Sequence, residues 1–182
     1  MLGKEKMANN RQLQASMNDW IDEVIDGENE GVFVTLNFTQ KKLGKTAIKA
    51  TITHEEAQKI IKAFCRKIDG LFFSKRAIDK QEVLQVGLKR ICFYEDGKFG
   101  NLHWHSLLFA NRAELLAMRA KLLWQNMDKL KKLDVERSRF DVLRTATDIK
   151  KVAYYCIKDV RKNGLQNFDM ANTRLAEKLA VA

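Results

Sequence analysis

Two kinds of apolar pattern divide this chain into predicted strands and helices. Short runs rich in β-branched and aromatic residues are typical of strands. The predicted strands are residues 32–39, 46–52, 82–95, 98–110 and 140–144. A turn at residues 41–45 separates the first two strands, and Asp96 with Gly97 forms the hairpin turn between the third and the fourth.

Apolar residues that recur every three or four positions predict the helices. The predicted helices are residues 9–26, 54–70, 112–127 and 148–163, with a weaker short helix in the tail, residues 165–182. Polar caps or stop residues mark their ends, namely Thr53 with Glu56, Asn111 and Thr147 at the starts, and Gly70, Asn163 and Gly164 at the ends. Residues 71–80 are a predicted connector, and the charged residues 129–139 a predicted exposed segment.

This order of elements predicts an α+β fold. We expect an antiparallel sheet of four to five strands flanked by helices, in which a central hairpin has helices before and after it. That arrangement is typical of ferredoxin-like or RRM-like folds. No repeat or low-complexity linker interrupts the pattern, so we expect an N-terminal helical segment, residues 1–30, and one domain, residues 31–182.

Composition and charge narrow the class of protein. Of the 182 residues, 46% are hydrophobic and 31% charged, which is typical of a globular protein. No apolar run reaches the length of a membrane span, and Cys65, Cys92 and Cys156 are too scattered for a disulfide framework, so we expect a cytoplasmic protein without a membrane partner. The first 30 residues hold three Lys/Arg and seven Asp/Glu, a charge of −4, which leaves +14 for the remainder. A basic domain of this kind usually binds a polyanion, with nucleic acid ahead of an anionic membrane surface.

Two of the three histidines, His103 and His105, lie one residue apart in a predicted strand. Alternate strand residues share a face, so both imidazoles point to the same side of the sheet and form half of a divalent metal site. Glu95, across the hairpin, is the predicted third ligand, with Asp96 as the alternative, and a bulge at Gly100 can adjust the register. Two imidazoles and one carboxylate suit Mn²⁺ or Mg²⁺ bound to a phosphate oxygen. Without an ion, the histidines would be hydrogen-bonded sheet residues.

A second constellation lies on the last predicted helix. Lys151, Tyr155, Lys158 and Asp159 share one helix face. A tyrosine hydroxyl beside a polarised phosphate and an ammonium can attack phosphorus, although helices often carry tyrosines without such a role. Tyr154 is about 100° away around the helix, so at most one of the two tyrosines faces the metal, and which of them reacts stays open.

Together, Glu95, Gly100, the His103-Trp104-His105 triplet and a later Tyr155 with Lys158 and Asp159 resemble the HUH endonucleases. The order of these motifs is similar to that of rolling-circle replication initiators, and residues 33–38 (FVTLNF) resemble the first motif of that family. The resemblance covers residues 32–164. Leu102 stands where the family usually has proline.

The resemblance implies a single-stranded DNA nickase and strand transferase. Glu95, His103 and His105 would hold the ion, and Tyr155 would be the nucleophile with Tyr154 as the alternate. Lys158 would contact the scissile phosphate or help to position the metal-bound group. The basic residues that would contact DNA are Lys150, Lys151, Arg161, Lys162 and those within 129–139. The DNA would be a single strand or hairpin at an origin, with a host helicase and polymerase as partners, since the chain lacks a Walker motif. The alternatives are a single-strand transposase of the same superfamily and a non-catalytic RRM-like nucleic-acid-binding module.

Overall fold

A computed structural model of the protein describes residues 2–43, 47–50, 52–73, 87–97, 101–127, 132–158 and 164–175. The helices are α1 (Leu2–Ile25), α2 (His54–Phe72), α3 (Ala113–Met127) and α4 (Ala146–Cys156), and a 3-10 helix covers Gly164–Asn167. The strands are β1 (Gly31–Phe38), β2 (Gln40–Leu43), β3 (Ala47–Ala50), β4 (Arg90–Gly97), β5 (Asn101–Phe109) and β6 (Leu133–Leu143). None of the described helices is long and apolar enough to cross a membrane.

Four strands form one antiparallel sheet in the order β4-β5-β1-β6. Along the chain, β1 leads through α2 to β4, the β4–β5 hairpin follows, and α3 leads to β6. This is the split β-α-β arrangement of ferredoxin-like folds, so the predicted α+β class is confirmed. Strands β2 and β3 pair in a separate two-stranded antiparallel sheet between β1 and α2 in the chain.

Helices cover both faces of the sheet, and each face has its own core. On one face, Val34 and Leu36 of β1 and Trp104 of β5 pack against α2 and α3. On the other face, Ile91 of β4 and Leu107 of β5 pack against α1 and α4. The odd-numbered residues of β1 and β5 therefore lie on the side of α1 and α4.

Helix α1 belongs to this second core. It begins at Leu2, earlier than predicted, and its C-terminal half buries Met17, Ile21 and Ile25. Trp20 contacts Phe168 edge-on, with ring centroids 5.5 Å apart. The acidic helix is thus packed on the sheet.

Several strand boundaries differ from the prediction. Residues 41–43, which we predicted as part of a turn, belong to strand β2. Strand β4 begins at Arg90, so residues 87–89 of the predicted strand 82–95 precede it, and residues 82–86 lie outside the described residues. Asp96 and Gly97 lie in β4, paired with Leu102 and Asn101, so they are not the hairpin turn. Most of the predicted charged segment 129–139 belongs to β6, because an edge strand tolerates charged residues that a central strand would bury.

Two helix boundaries also differ. Helix α2 continues through Gly70 to Phe72, although its predicted capping box of Thr53 and Glu56 is confirmed. Helix α4 is capped by Thr145, not Thr147, because the Thr145 hydroxyl accepts the Asp148 amide at 3.1 Å. It ends at Cys156, well before the predicted stop at 163.

The described part of the tail, residues 164–175, lies beside β4. A 3-10 helix is present where we predicted a short helix, and the chain then forms bridges that pair Phe168 with Phe93 and Arg174 with Arg90. These bridges cover the outer edge of β4, which carries Glu95. Residues 176–182 of the predicted tail helix lie outside the described residues.

Candidate active site

The two histidines of β5 point to the same face of the sheet, as predicted. The ring centroids of His103 and His105 are 6.4 Å apart, and both rings lie on the side of α1 and α4. Trp104 points to the opposite face, where it is fully buried in the α2 and α3 core. The two histidines of the triplet therefore belong to the candidate site, and Trp104 belongs to the hydrophobic core.

Glu95 joins the histidines from the neighbouring strand. Its backbone pairs directly with His103, and its Oε2 lies 2.8 Å from Nε2 of His105. Because an ionised carboxylate only accepts, Nε2 of His105 carries the proton in this contact. The hydrogen bonds from His105 and then from Lys158 lower the pKa of Glu95 to about 2, in spite of its partial burial. The carboxylate is therefore ionised at any physiological pH.

Strand β1 fixes the orientation of His105. The Thr35 hydroxyl lies 3.1 Å from Nδ1 of His105, and the Phe33 ring stacks on the imidazole with centroids 5.5 Å apart. Hydrogen bonds of this kind set the tautomer and the ring orientation of histidines that bind metals. Our sequence reasoning missed Thr35 and Asn37 as site residues, although they are the polar members of the alternation in β1.

His103 has an unused ring nitrogen. Its Nδ1 is buried and makes no hydrogen bond. Burial, and after it the proximity of His105, lowers the pKa of His103 below its ordinary value. At neutral pH this imidazole is neutral, so it can donate a lone pair.

Helix α4 brings Tyr155 to the same place. Its ring meets the His105 ring edge-on, with centroids 6.2 Å apart, and 47% of the residue is exposed. Lys158, in the turn after the helix, places Nζ 3.6 Å from the centroid of the Tyr155 ring and 3.2 Å from Oε1 of Glu95. Burial opposes the charge of Lys158, but its hydrogen bonds to Tyr155 and Glu95 outweigh that effect and raise its pKa. Lys158 thus links the tyrosine helix to the hairpin as a cation.

Tyr154 faces a different neighbour. Its hydroxyl donates to the Asp22 carboxylate of α1, at 2.8 and 2.9 Å from the two oxygens. Partial burial and this hydrogen bond raise the pKa of Tyr154. Of the two adjacent tyrosines, Tyr155 therefore lies at the histidines and Tyr154 lies against α1.

A cleft of about 400 Å³ crosses the site and receives side chains from all four strands of the sheet. It is lined by Phe33, Thr35, Asn37, Glu95, His103, His105, Arg137, Arg139, Asp141 and Tyr155. Both arginines belong to β6, within the charged segment that we predicted to contact DNA. Asp141 was not predicted from the sequence.

An irregularity in β6 shapes this wall of the cleft. Thr35 pairs with Arg139 and Asn37 pairs with Asp134, so β1 advances two residues while β6 advances five. Ser138 holds the resulting bulge, because its hydroxyl accepts the Asn37 amide at 3.0 Å and donates to the Asp134 carbonyl at 2.7 Å. Bulges next to sites commonly redirect a side chain.

The other residues that we predicted to contact DNA do not line the cleft within the described part of the chain. Lys150 forms an ion pair with Asp22 at 2.9 Å, on the Tyr154 side of α4, whereas Lys151 is exposed. Arg161 and Lys162 lie outside the described residues, as does Asp159.

Two of the three predicted metal ligands, His105 and Glu95, lie at a spacing compatible with a divalent ion. An ion with octahedral ligands at about 2.1 Å separates neighbouring ligands by roughly 3 Å, and the 2.8 Å between His105 and Glu95 matches this spacing as well as that of a hydrogen bond. Binding would displace the proton on Nε2, as metals displace protons from their ligands. Across the described ranges, no three His, Cys, Asp or Glu side chains are grouped closely enough to hold an ion as they stand. The unpaired Nδ1 of His103 is the remaining nitrogen among the three predicted ligands.

Comparison of the chain with protein families, with curated proteins and with solved structures gives no match.

Proposed function

We propose that this chain is a metal-dependent nickase and strand transferase of single-stranded DNA, which initiates rolling-circle replication of a plasmid, phage or virus. One observation carries the proposal: Tyr155 contacts His105 and Lys158 contacts Glu95 and the Tyr155 ring, although the two pairs are 50 to 63 residues apart in the chain. A nucleophile, a cation and a candidate metal site therefore lie where one phosphate could contact all three.

Each residue has a defined role in this proposal. Glu95, His103 and His105 would hold Mn²⁺ or Mg²⁺, which when bound would withdraw charge from a phosphate oxygen. The Tyr155 hydroxyl oxygen attacks phosphorus, the bond from phosphorus to the 3′ oxygen breaks, and the phenolic proton ends on that oxygen. The products are a 5′-phosphotyrosine ester and a free 3′ hydroxyl for a polymerase. The reverse reaction rejoins the strand.

Lys158 serves as a fixed positive charge. Because its pKa is raised, it stays protonated and cannot act as the base for Tyr155. An ammonium next to the tyrosine ring stabilises the negative charge that develops on the phenolic oxygen and the phosphate. Its contact with Glu95 also keeps it within reach of the proposed metal ligands.

The β6 wall of the cleft supports binding of a polyanion. Arg137 and Arg139 lie on the same face of the sheet as Glu95 but at its opposite edge, three strand spacings or roughly 14 Å away. Arginines at such a distance from the scissile phosphate suit neighbouring phosphates of an extended single strand.

The Arg139→Ala variant tests this wall. We expect it to weaken binding of a single-stranded oligonucleotide and to reduce the slope of log affinity against log salt by about 0.7, the value of one lost phosphate contact. The measurement is fluorescence anisotropy at several salt concentrations in EDTA. Arg144→Ala is the matched control, because Arg144 is an exposed arginine beyond the end of β6 that pairs with Glu114 instead of lining the cleft. Equal salt slopes for the two variants would contradict this role of Arg139.

The experiment that tests the proposed function is adduct formation with a random-sequence library of single-stranded DNA. In Mn²⁺ we expect a covalent protein–DNA adduct that survives denaturing gel electrophoresis and maps to Tyr155 by mass spectrometry. We expect no adduct in EDTA or with duplex DNA. Binding of the library without any adduct in Mn²⁺ would overturn the proposal in favour of a non-catalytic nucleic-acid-binding module.

A further inference from the structure

We infer that Asp22 of α1 is a positioning residue that selects Tyr155 over Tyr154 as the nucleophile, by fixing the rotation of α4 about its axis. This inference rests on the proposed function, because it concerns which hydroxyl meets the scissile phosphate. It gives the N-terminal acidic helix a role in the reaction without any contact with DNA.

Asp22 holds two residues of one face of α4. The Tyr154 hydroxyl donates to its carboxylate, and Nζ of Lys150 lies 2.9 Å from its Oδ1. Lys150 also lies 5.4 Å from the centroid of the Tyr154 ring. Because Lys150 and Tyr154 are four residues apart on a helix, a single carboxylate engages one continuous strip of α4.

Asp22 itself stands on an anchored element. Ile21 and Ile25 of α1 are buried in the same core as Ile149 and Ala153 of α4. The apolar contacts bring the two helices together, and such contacts have no preferred direction. The hydrogen bonds to Asp22 supply the direction, since they require Tyr154 to face α1.

Helix geometry converts this restraint into a choice of nucleophile. Successive residues are about 100° apart, so fixing Tyr154 towards α1 turns Tyr155 towards the histidines. The Tyr155 ring contacts the rings of Phe33 and His105 in the cleft and the ammonium of Lys158, and the residue is 47% exposed. The directional bonds that set the rotation of α4 are therefore on the Tyr154 side.

The test compares Asp22→Ala with Glu23→Ala, an exposed acid at the next position of the same helix. In single-turnover reactions at saturating oligonucleotide, we expect Asp22→Ala to form adduct about 10- to 100-fold more slowly, because small misplacements of a nucleophile have effects of this size. We also expect a measurable share of its adduct on Tyr154, and an affinity for the oligonucleotide within about twofold of wild type. A loss of folded protein alone would lower the amount of adduct but would not move it to Tyr154. Glu23→Ala should match wild type in rate and in adduct position.

A double-mutant cycle provides the second measurement. Because Tyr154 acts through Asp22, the Asp22→Ala/Tyr154→Phe variant should form the Tyr155 adduct no more slowly than Asp22→Ala alone, while the share of adduct on Tyr154 disappears. Asp22→Asn, which retains an acceptor for the hydroxyl but loses the charge that pairs with Lys150, should be intermediate in rate and serves in place of Asp22→Ala if that variant does not fold. A wild-type rate with adduct on Tyr155 alone in the Asp22 variants, or additive effects in the cycle, would overturn the positioning role while leaving the proposed function intact. Absence of adduct with wild-type protein would overturn both.

Discussion

Replacing Tyr155 with phenylalanine is expected to abolish the covalent adduct with single-stranded DNA. The variant keeps the ring that contacts Phe33, His105 and Lys158 and loses only the hydroxyl oxygen that would attack phosphorus. Removing a nucleophile lowers the rate of such reactions by at least about 10⁴-fold. The measurement is a single-turnover assay with an end-labelled oligonucleotide in Mn²⁺. DNA affinity should change little, because the arginines of β6 and Lys158 remain.

Tyr154→Phe is the matched control, since it removes the same atom from the adjacent residue. It loses a hydrogen bond to Asp22 but keeps the ion pair between Asp22 and Lys150. We therefore expect adduct formation on Tyr155 to continue, within about tenfold of the wild-type rate. Adduct formation by Tyr155→Phe at a rate near that of wild type would contradict the assignment of Tyr155. Loss of adduct in Tyr154→Phe alone would assign the reaction to Tyr154.

The histidine half of the site could be predicted from the sequence because it depends on local geometry. Alternation along one strand places His103 and His105 on one face whatever the rest of the fold does. The position of Glu95 depended on the hairpin register, and the turn that we predicted at Asp96 and Gly97 is wrong. A two-residue turn at Asp96 and Gly97 pairs Glu95 with residue 98, on the face opposite the histidines, unless a bulge intervenes. In the structure Glu95 pairs with His103, and one residue of slip decides which face a side chain occupies.

The β6 wall of the cleft, with Arg137 and Arg139, could be predicted from the sequence only as a charged segment. The sequence of β6 lacks a clean alternation because the bulge around Ser138 shifts its phase, and because the strand lies at the edge of the sheet. The bulge is held by Asn37 of β1 and by the Trp124 indole of α3, which donates to the Ser138 hydroxyl at 3.0 Å. Contacts between such distant segments leave no periodic signal in either one. The same holds for Asp22 and Tyr154, 132 residues apart in the chain.

The start of α4 could have been predicted from a local signal. Thr145 has an acid, Asp148, three residues later, whereas Thr147 has Lys150 at the equivalent position. A threonine followed by an acid at that spacing is typical of a helix start. Correct placement of the cap does not change which residues share a helix face. We therefore predicted the proximity of Tyr155 and Lys158 correctly although both predicted ends of α4 were wrong. Nζ of Lys158 lies 3.6 Å from the centroid of the Tyr155 ring.

Asp69→Asn is expected to lower the free energy of unfolding by about 3–5 kcal/mol, the usual cost of leaving a buried charge without its partner. Asp69 of α2 and Arg90 of β4 are both buried, and their side chains are 2.6 Å apart. The other carboxylate oxygen accepts from Arg174 at 3.2 Å, so one residue holds together α2, the start of β4 and the tail segment. An asparagine of the same shape leaves the guanidinium of Arg90 buried and uncompensated.

The measurement is equilibrium unfolding in urea, followed through the midpoint at constant slope. Glu55→Gln is the matched control on the same helix, because Glu55 pairs with Lys59 at 2.7 Å while both side chains are about three-quarters exposed. An exposed pair of this kind contributes about 0.5 kcal/mol or less, so the control should unfold almost as wild type does. Equal midpoints for the two variants would show that Arg90 finds another partner.

The Asp69→Asn result bears on the candidate site as well. Arg90 begins the strand that carries Glu95, and the tail segment that Asp69 holds covers the edge of that strand. A loosened β4 would shift Glu95 relative to His105, and we therefore expect Asp69→Asn to reduce adduct formation below the wild-type rate even at temperatures where the variant is folded.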